Sequence, residues 1–225
     1  MAKLPTHRAT GSTQPANRQL TMQAIDPTYE QSFGGLIAGI DEAGRGPWAG
    51  PVVAAAVVFY TDKIPEGVHD SKKLSAVRRE QIFDDILKNA HVGIGLATPE
   101  EIDKVNILQA TFLAMQRAYG LLGFTPDIAL IDGNKCPSLP CKTKAIIGGD
   151  ALCPSIAAAS IIAKVTRDRI MADLAKQHPA YGWERNAGYG TTQHQKALAD
   201  FGVTPHHRKS YKPIQLLLES ATLSA

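Results

Sequence analysis

The stretch "AGIDEAGRGPWAGPVVAAAVV", residues 38–58, decides the fold. An apolar run beginning at Leu36 reads as a short buried strand to Ile40, and at its end stand two adjacent acids, Asp41 and Glu42. Gly44, Arg45 and Gly46 form a flexible turn, and Val52 to Tyr60 reads as a second buried strand. The β-branched content and the Gly-Pro-rich link predict an antiparallel pair. Two carboxylates taken into a core are costly without a cation or donors beside them. That cost marks the strand end as a place where chemistry is done.

Outward from this pair, residues 1–33 are polar and aperiodic and predict a mobile tail with a short helix near its end. Residues 34–225 then form the folded unit. "HVGIGLA" (91–97) predicts a third strand; as a glycine-rich nucleotide loop it lacks the full fingerprint. Ser75 to Asn89 predicts a helix with Ile82, Phe83, Ile86 and Leu87 on one face. Asn106 suits an N-cap for a second helix, whose stripe of Leu108, Phe112, Met115, Tyr119 and Leu122 is core; Gly123 suits its stop. "DIALIDGN" (127–134) predicts a buried strand ending in an acid and a turn, and Lys144 to Ile147 a short strand. Ser155 to Gln177 predicts a long helix whose small-residue face can approach a sheet closely, and another helix starts near Thr191. A hairpin group followed by alternating strands and helices describes an α/β domain with a mixed sheet.

The chain has 225 residues, 44% hydrophobic, enough for one substantial core. No apolar stretch reaches bilayer length and no secretory leader pattern opens the chain, so a cytoplasmic protein is expected, as a monomer. Cys136, Cys141 and Cys153 are expected as reduced thiols, too few and too loosely spaced for a zinc site. The net charge of +3 decides little. Two acid-free basic stretches say more: residues 133–149 with Lys135, Lys142 and Lys144, and residues 201–213 with Arg208, Lys209 and Lys212. Each suits contact with a phosphate backbone, and each alone also suits a solvated loop.

Four acids stand out: Asp41, Glu42, Asp132 after "IALI", and Asp150 after "IIGG". Neighbouring strand ends of an open α/β sheet gather distant side chains into one crevice. If the strands at 36–40 and 127–131 are adjacent and parallel, Asp41 and Asp132 meet there. Adjacent strand residues point to opposite faces, so Glu42 joins them only if the chain turns directly after Asp41. Alone, Asp132 before Gly-Asn also reads as a turn former, and Asp150 as a residue near a helix start. Crowded carboxylates demand protons or a cation, and an all-oxygen donor set suits Mg²⁺ or Mn²⁺. Two such ions about 4 Å apart can activate a water against a phosphodiester.

"GIDEAGRGPWAGPVVAAAVV", "DSKKLS" (70–75), "EIDKVNILQATFLAMQRA" (101–118), "IDGNKCP" (131–137), "SIAAASIIAKVTRDR" (155–169) and "HHRKSYKP" (206–213) together resemble bacterial ribonuclease HII. The resemblance runs from Leu36 to Pro213. It implies a ribonuclease H-like, five-stranded mixed sheet flanked by helices, with a helical C-terminal extension. It implies metal-dependent cleavage of the RNA strand of RNA–DNA hybrids, and incision 5′ of single ribonucleotides in duplex DNA, leaving 3′-hydroxyl and 5′-phosphate ends. By motif, Asp41, Glu42, Asp132 and Asp150 are its catalytic, metal-binding acids, with Mg²⁺ or Mn²⁺ as cofactor. Gly44, Arg45 and Gly46 are its "GRG" element, which contacts the ribonucleotide 2′-hydroxyl and phosphate, and Tyr189 in "GYGT" stacks near the ribose. Ser71 and Lys72 are expected phosphate contacts, with a plain loop before a helix as the other reading; Tyr189 also reads as a packed aromatic. His206 and His207 are expected at the surface or on the backbone. Two departures stand out: Gly149 where the family often has lysine, and Ala187 in place of a basic residue. A nuclease or strand-transfer enzyme of the same fold acting on DNA, and a non-catalytic nucleic-acid-binding module with a degenerate site, are the competing readings.

Overall fold

The computed structural model describes residues 25–61, 64–69, 71 and 74–223. Residues 1–24 of the expected tail lie outside the described residues; from its end, α1 (Thr28–Gln31) is helical. Five strands follow: β1 (Ile37–Ala43), β2 (Val52–Phe59), β3 (Ala90–Ala97), β4 (Ile128–Asp132) and β5 (Lys142–Ile146). They form one sheet in the order β3-β2-β1-β4-β5. β1 pairs antiparallel with β2 and parallel with β4; β2–β3 is antiparallel and β4–β5 parallel. The mixed sheet is therefore as the sequence predicts.

Helices α2 (Ala76–Asn89), α3 (Pro99–Val105), α4 (Ile107–Gly120), α5 (Pro154–Gln177), α6 (Trp183–Asn186), α7 (Thr192–Phe201) and α8 (Lys212–Leu223) complete the described fold. The β2 run "VVAAAVVF" is buried on both faces, as a central strand must be. Val52, Ala54, Ala56 and Val58 pack with α4 in one core; Ala55 and Val57 pack with α2 and α5 in another. The glycines of β3 serve this packing, not a nucleotide loop. A Cβ on Gly93 would come within 2.0 Å of the Ala118 carbonyl oxygen, and on Gly95 within 2.2 Å of that of Ala114. Gly39 does the same on the other face, where a Cβ would stand 2.1 Å from the Ser155 backbone carbon. The start of α5 is thus pressed onto β1, one turn from Asp150.

Caps set the boundaries. Ser75 accepts the Arg78 N–H, and Asn106, at φ +69°, accepts the N–H groups of Leu108 and Gln109. Thr98 and Glu101 form a capping box that starts α3, a helix the sequence reading passed over. α4 ends at Gly120, before the expected Gly123. α6 to α8 form the C-terminal extension, with Tyr181, Trp183, Leu198 and Ile214 joining Met171 and Ala175 of α5 in a small separate core. All three cysteines are free thiols. Among the described residues, no helix is long and apolar enough to cross a membrane.

Candidate active site

Ile40 and Ile131 are register partners of the parallel β1–β4 pair. Asp41 and Asp132, the next residue on each strand, are therefore neighbours at the sheet's carboxyl end. β1 runs past Ile40 to Ala43, so Glu42 lies within the strand and pairs with Ala54, not on a turn after Asp41. The expected turn after Asp41 is absent, yet Glu42 lines the same cleft as Asp41. Asp150 sits in a short 3₁₀ turn, Gly149–Ala151, just before α5. The Gly149 N–H donates to Asp132 Oδ1 at 2.7 Å, which ties that turn to the end of β4.

One cleft of about 340 Å³ is lined by Asp41, Glu42, Gly44, Arg45, Gly46, Ser71, Asp132 and Tyr189, with Ser160, Lys164 and Arg167 of α5. Asp150 is not part of that lining but acts electrostatically on Asp41. Asp41 and Asp150 are both buried. The Asp41 carboxyl is pushed well above its usual range, first by burial, then by the charges of Glu42, Asp132 and Asp150; the Glu42 N–H, donating to Asp41 Oδ1 at 2.7 Å, opposes this. Among the described residues, no three His, Cys, Asp or Glu side chains are arranged as a ready metal cage. Asp41 and Asp132 each direct one oxygen at a backbone N–H. The donor set nonetheless fits a hard divalent cation: buried oxygens of like charge whose repulsion a cation would offset.

Gly44 has φ +98°, and a Cβ there would meet the Arg167 side chain at 2.0 Å. The Arg45 guanidinium, half exposed, stands 3.8 Å from Glu42. Tyr189 is 51% exposed, so it is no core aromatic, and its ring borders Gly46, where a Cβ would lie 3.3 Å from Cε1. Gly190 packs on the Trp48 ring, and the Trp48 N–H donates to the Gly188 carbonyl at 2.8 Å. Ser71 is buried, its hydroxyl 2.6 Å from that of Ser160. Lys72 lies outside the described residues.

Sequence reasoning missed the residues behind this surface. Arg167 is buried and donates to the carbonyls of Ala49, Pro51 and Ala187, joining the segment after β1 to the one after α6. Burial, then the nearby Arg208, push its guanidinium down to about 10, so it stays charged at neutral pH. Arg208, expected on a phosphate-facing stretch, is fully buried. His207 is fully buried as well, which corrects the surface reading; its Nδ1 accepts the Thr204 N–H, a backbone contact. His194 Nδ1 meets the Tyr189 carbonyl at 3.0 Å and must carry a proton there; its Nε2 then accepts from His207 Nε2 at 2.9 Å. Of the two departures, Gly149 is packed, since a Cβ would meet Ile156 Cδ1 at 2.6 Å. Ala187 adopts φ +48° at the end of α6.

A family model for ribonuclease HII matches residues 38–214. Ribonuclease HII of Ruegeria pomeroyi is 59% identical over 183 residues, 81% of this chain and 78% of its own length. That of Paramagnetospirillum magneticum is 54% identical over 193 residues, 84% of this chain and 96% of the relative. The crystal structure of ribonuclease H2 from Pyrococcus horikoshii superposes with TM-score 0.68 at 28% identity, covering 82% of this chain and 97% of that one. With its sheet order, its flanking helices and these relatives in agreement, the chain belongs to the ribonuclease HII family and is a hydrolase of the endoribonuclease class.

Proposed function

We propose that this chain cleaves the RNA strand of RNA–DNA hybrids and incises on the 5′ side of a single ribonucleotide in duplex DNA, leaving 3′-hydroxyl and 5′-phosphate ends. The observation that carries this reading is the shared cleft: carboxylates, the Gly44–Gly46 turn and the exposed Tyr189 ring border one space. Asp41, Glu42, Asp132 and Asp150 would hold Mg²⁺ or Mn²⁺, which when bound would supply an activated water for attack on the phosphodiester and charge stabilisation of the leaving oxygen. The chain's own part is placement. β1 and β4 hold Asp41 and Asp132 on rigid strands, and the Gly149 N–H fixes Asp132 toward the turn bearing Asp150.

Glycine at positions 44 and 46 lets the backbone approach a sugar, and its N–H groups can bond a 2′-hydroxyl, the group that distinguishes RNA from DNA at one position. Arg45 offers a forked pair of donors to the adjacent phosphate. Tyr189 lies against the ribose, and Ser71 with Lys72 meets the backbone further along. The enzyme acts as a cytoplasmic monomer on this reading, and its hold on the duplex is largely electrostatic and weakens with salt.

A duplex carrying one ribonucleotide, a long RNA–DNA hybrid and an all-DNA duplex of the same sequence test this with each metal. Cuts 5′ of the ribonucleotide and throughout the RNA strand, with all-DNA intact, are expected. Cleavage of all-DNA at a comparable rate would refute it.

A further inference from the structure

Arg208 and Tyr211 stand apart from the acids, in the stretch between α7 and α8. Arg208 is fully buried, and among the described residues it makes no ion pair with a carboxylate. Its donors go to main-chain oxygens instead. Nη2 donates to the Gly44 carbonyl, Nη1 to that of Arg45 at 2.9 Å, and Nε to that of Gly50 at 3.0 Å. Nη1 also meets the Tyr211 hydroxyl at 2.9 Å, and that hydroxyl donates to the same Arg45 carbonyl. The Arg208 N–H donates to the Trp48 carbonyl at 2.8 Å, so the extension is fastened to the whole turn.

The consequence follows from peptide geometry. In a trans peptide, the carbonyl of one residue and the N–H of the next point in opposite directions. Drawing the Gly44 and Arg45 carbonyls back onto Arg208 therefore turns the N–H groups of Arg45 and Gly46 away from it, and both residues line the cleft. The described hydrogen bonds of loops and turns include none donated by either N–H. A lysine could not reproduce the effect, because three carbonyls need the forked, planar donor set of a guanidinium.

We propose that Arg208 and Tyr211 are positioning residues for ribonucleotide reading, holding two backbone N–H groups toward the 2′-hydroxyl and its phosphate. The inference rests on the function proposed above. It makes the C-terminal extension part of the discrimination between RNA and DNA, rather than only a buttress for the fold.

The test is Tyr211→Phe, which removes one of two donors to the Arg45 carbonyl and keeps the ring, with Arg208→Lys beside it. For each protein in chelator, the Kd is measured for a duplex with one ribonucleotide and for its all-DNA twin. kcat/KM on the ribonucleotide duplex is measured with Mg²⁺. Tyr211→Phe is expected to lower the ribo-over-deoxy preference by about 3- to 10-fold, the worth of one hydrogen bond, and kcat/KM alike. Arg208→Lys is expected to lower both further. A purely structural role changes the active fraction and cancels in the preference ratio. An unchanged ratio in Tyr211→Phe overturns the proposal even where melting drops. A wild-type protein with no ribo-over-deoxy preference and no cut at the ribonucleotide instead fells the functional reading, and this inference with it.

Discussion

Protonation of His207 offers a test of how the extension holds the Tyr189 loop. His207 Nδ1 accepts the Thr204 N–H at 2.9 Å, and its Nε2 meets His194 Nε2, whose ring in turn holds the Tyr189 carbonyl. A second proton would set donor against donor at Nδ1. Burial, then proximity to His194, hold the His207 imidazole down to about 3, against an ordinary value of 6.5. That displacement corresponds to about 5 kcal/mol in favour of the neutral ring. In the unfolded chain His207 takes its proton near its ordinary value, so below that the unfolded state binds more protons. Stability contributed by this residue is complete above pH 6.5 and is lost as pH falls toward 3. From pH 6 to pH 5 the loss is about 1 kcal/mol. The rings of His178 and His206 lie nearby, and the His194 and His206 imidazoles are also held down, chiefly by burial, so they add to the same trend. The raised carboxyls of Asp41 and Glu30 work against it. The difference between two proteins isolates one ring. His207→Asn keeps an acceptor for Thr204 and cannot titrate. Urea unfolding at pH 6 and pH 5 in chelator should show the wild type losing about 1 kcal/mol more than the variant. Equal losses would refute the buried neutral pair.

Two further outcomes follow from named contacts. The N-terminal end of α5 has no cap from its own Cys153; Glu30 of α1 accepts the Ser155 N–H at 2.9 Å instead. Glu30→Ala should cost about 1 kcal/mol and lower Tm by about 2–4 °C in calorimetry, and an unchanged Tm would show that α1 does not cap this helix. Tyr189→Ala should cut activity on single embedded ribonucleotides more than on long hybrids; equal loss on both would mean that the ring only packs.

What was legible in the sequence was what local pattern encodes. The β-branched runs give β1, β2 and β4, Asn106 gives a cap, and the small face of 155–177 gives a helix that lies on Gly39. The Asp41–Glu42 pair stood out because adjacent acids in a strand have few structural excuses, whereas Asp132 and Asp150 stood out only by their place after predicted strands, each alone also reading as a turn or helix-start residue. α3 was readable too: Thr98 followed by Glu101 is a capping box, obscured by the glycines before it. The extent of β1 was not, since Asp41 and Glu42 are poor strand formers and only pairing with Ala55 and Ala54 keeps them extended. Arg167 and Arg208 were illegible for a different reason. Most of their partners are main-chain carbonyls more than a hundred residues away, Ala187 for Arg167 being the exception, and nothing in the local sequence tells a buried guanidinium from a solvated one. His207 was hidden likewise, its burial depending on Trp183 and Tyr181 from another segment.

The central claim is that four carboxylates from β1, β4 and the turn before α5 act as one cation site. Titration with Mn²⁺, followed by the loss of free-ion electron paramagnetic signal, reads this without any substrate. Wild-type protein should take up Mn²⁺, and Asp41→Asn and Asp132→Asn should each weaken uptake about tenfold or more, whereas Asp173→Asn, on the exposed face of α5, should not. Uptake that survives both inner substitutions unchanged would contradict the account.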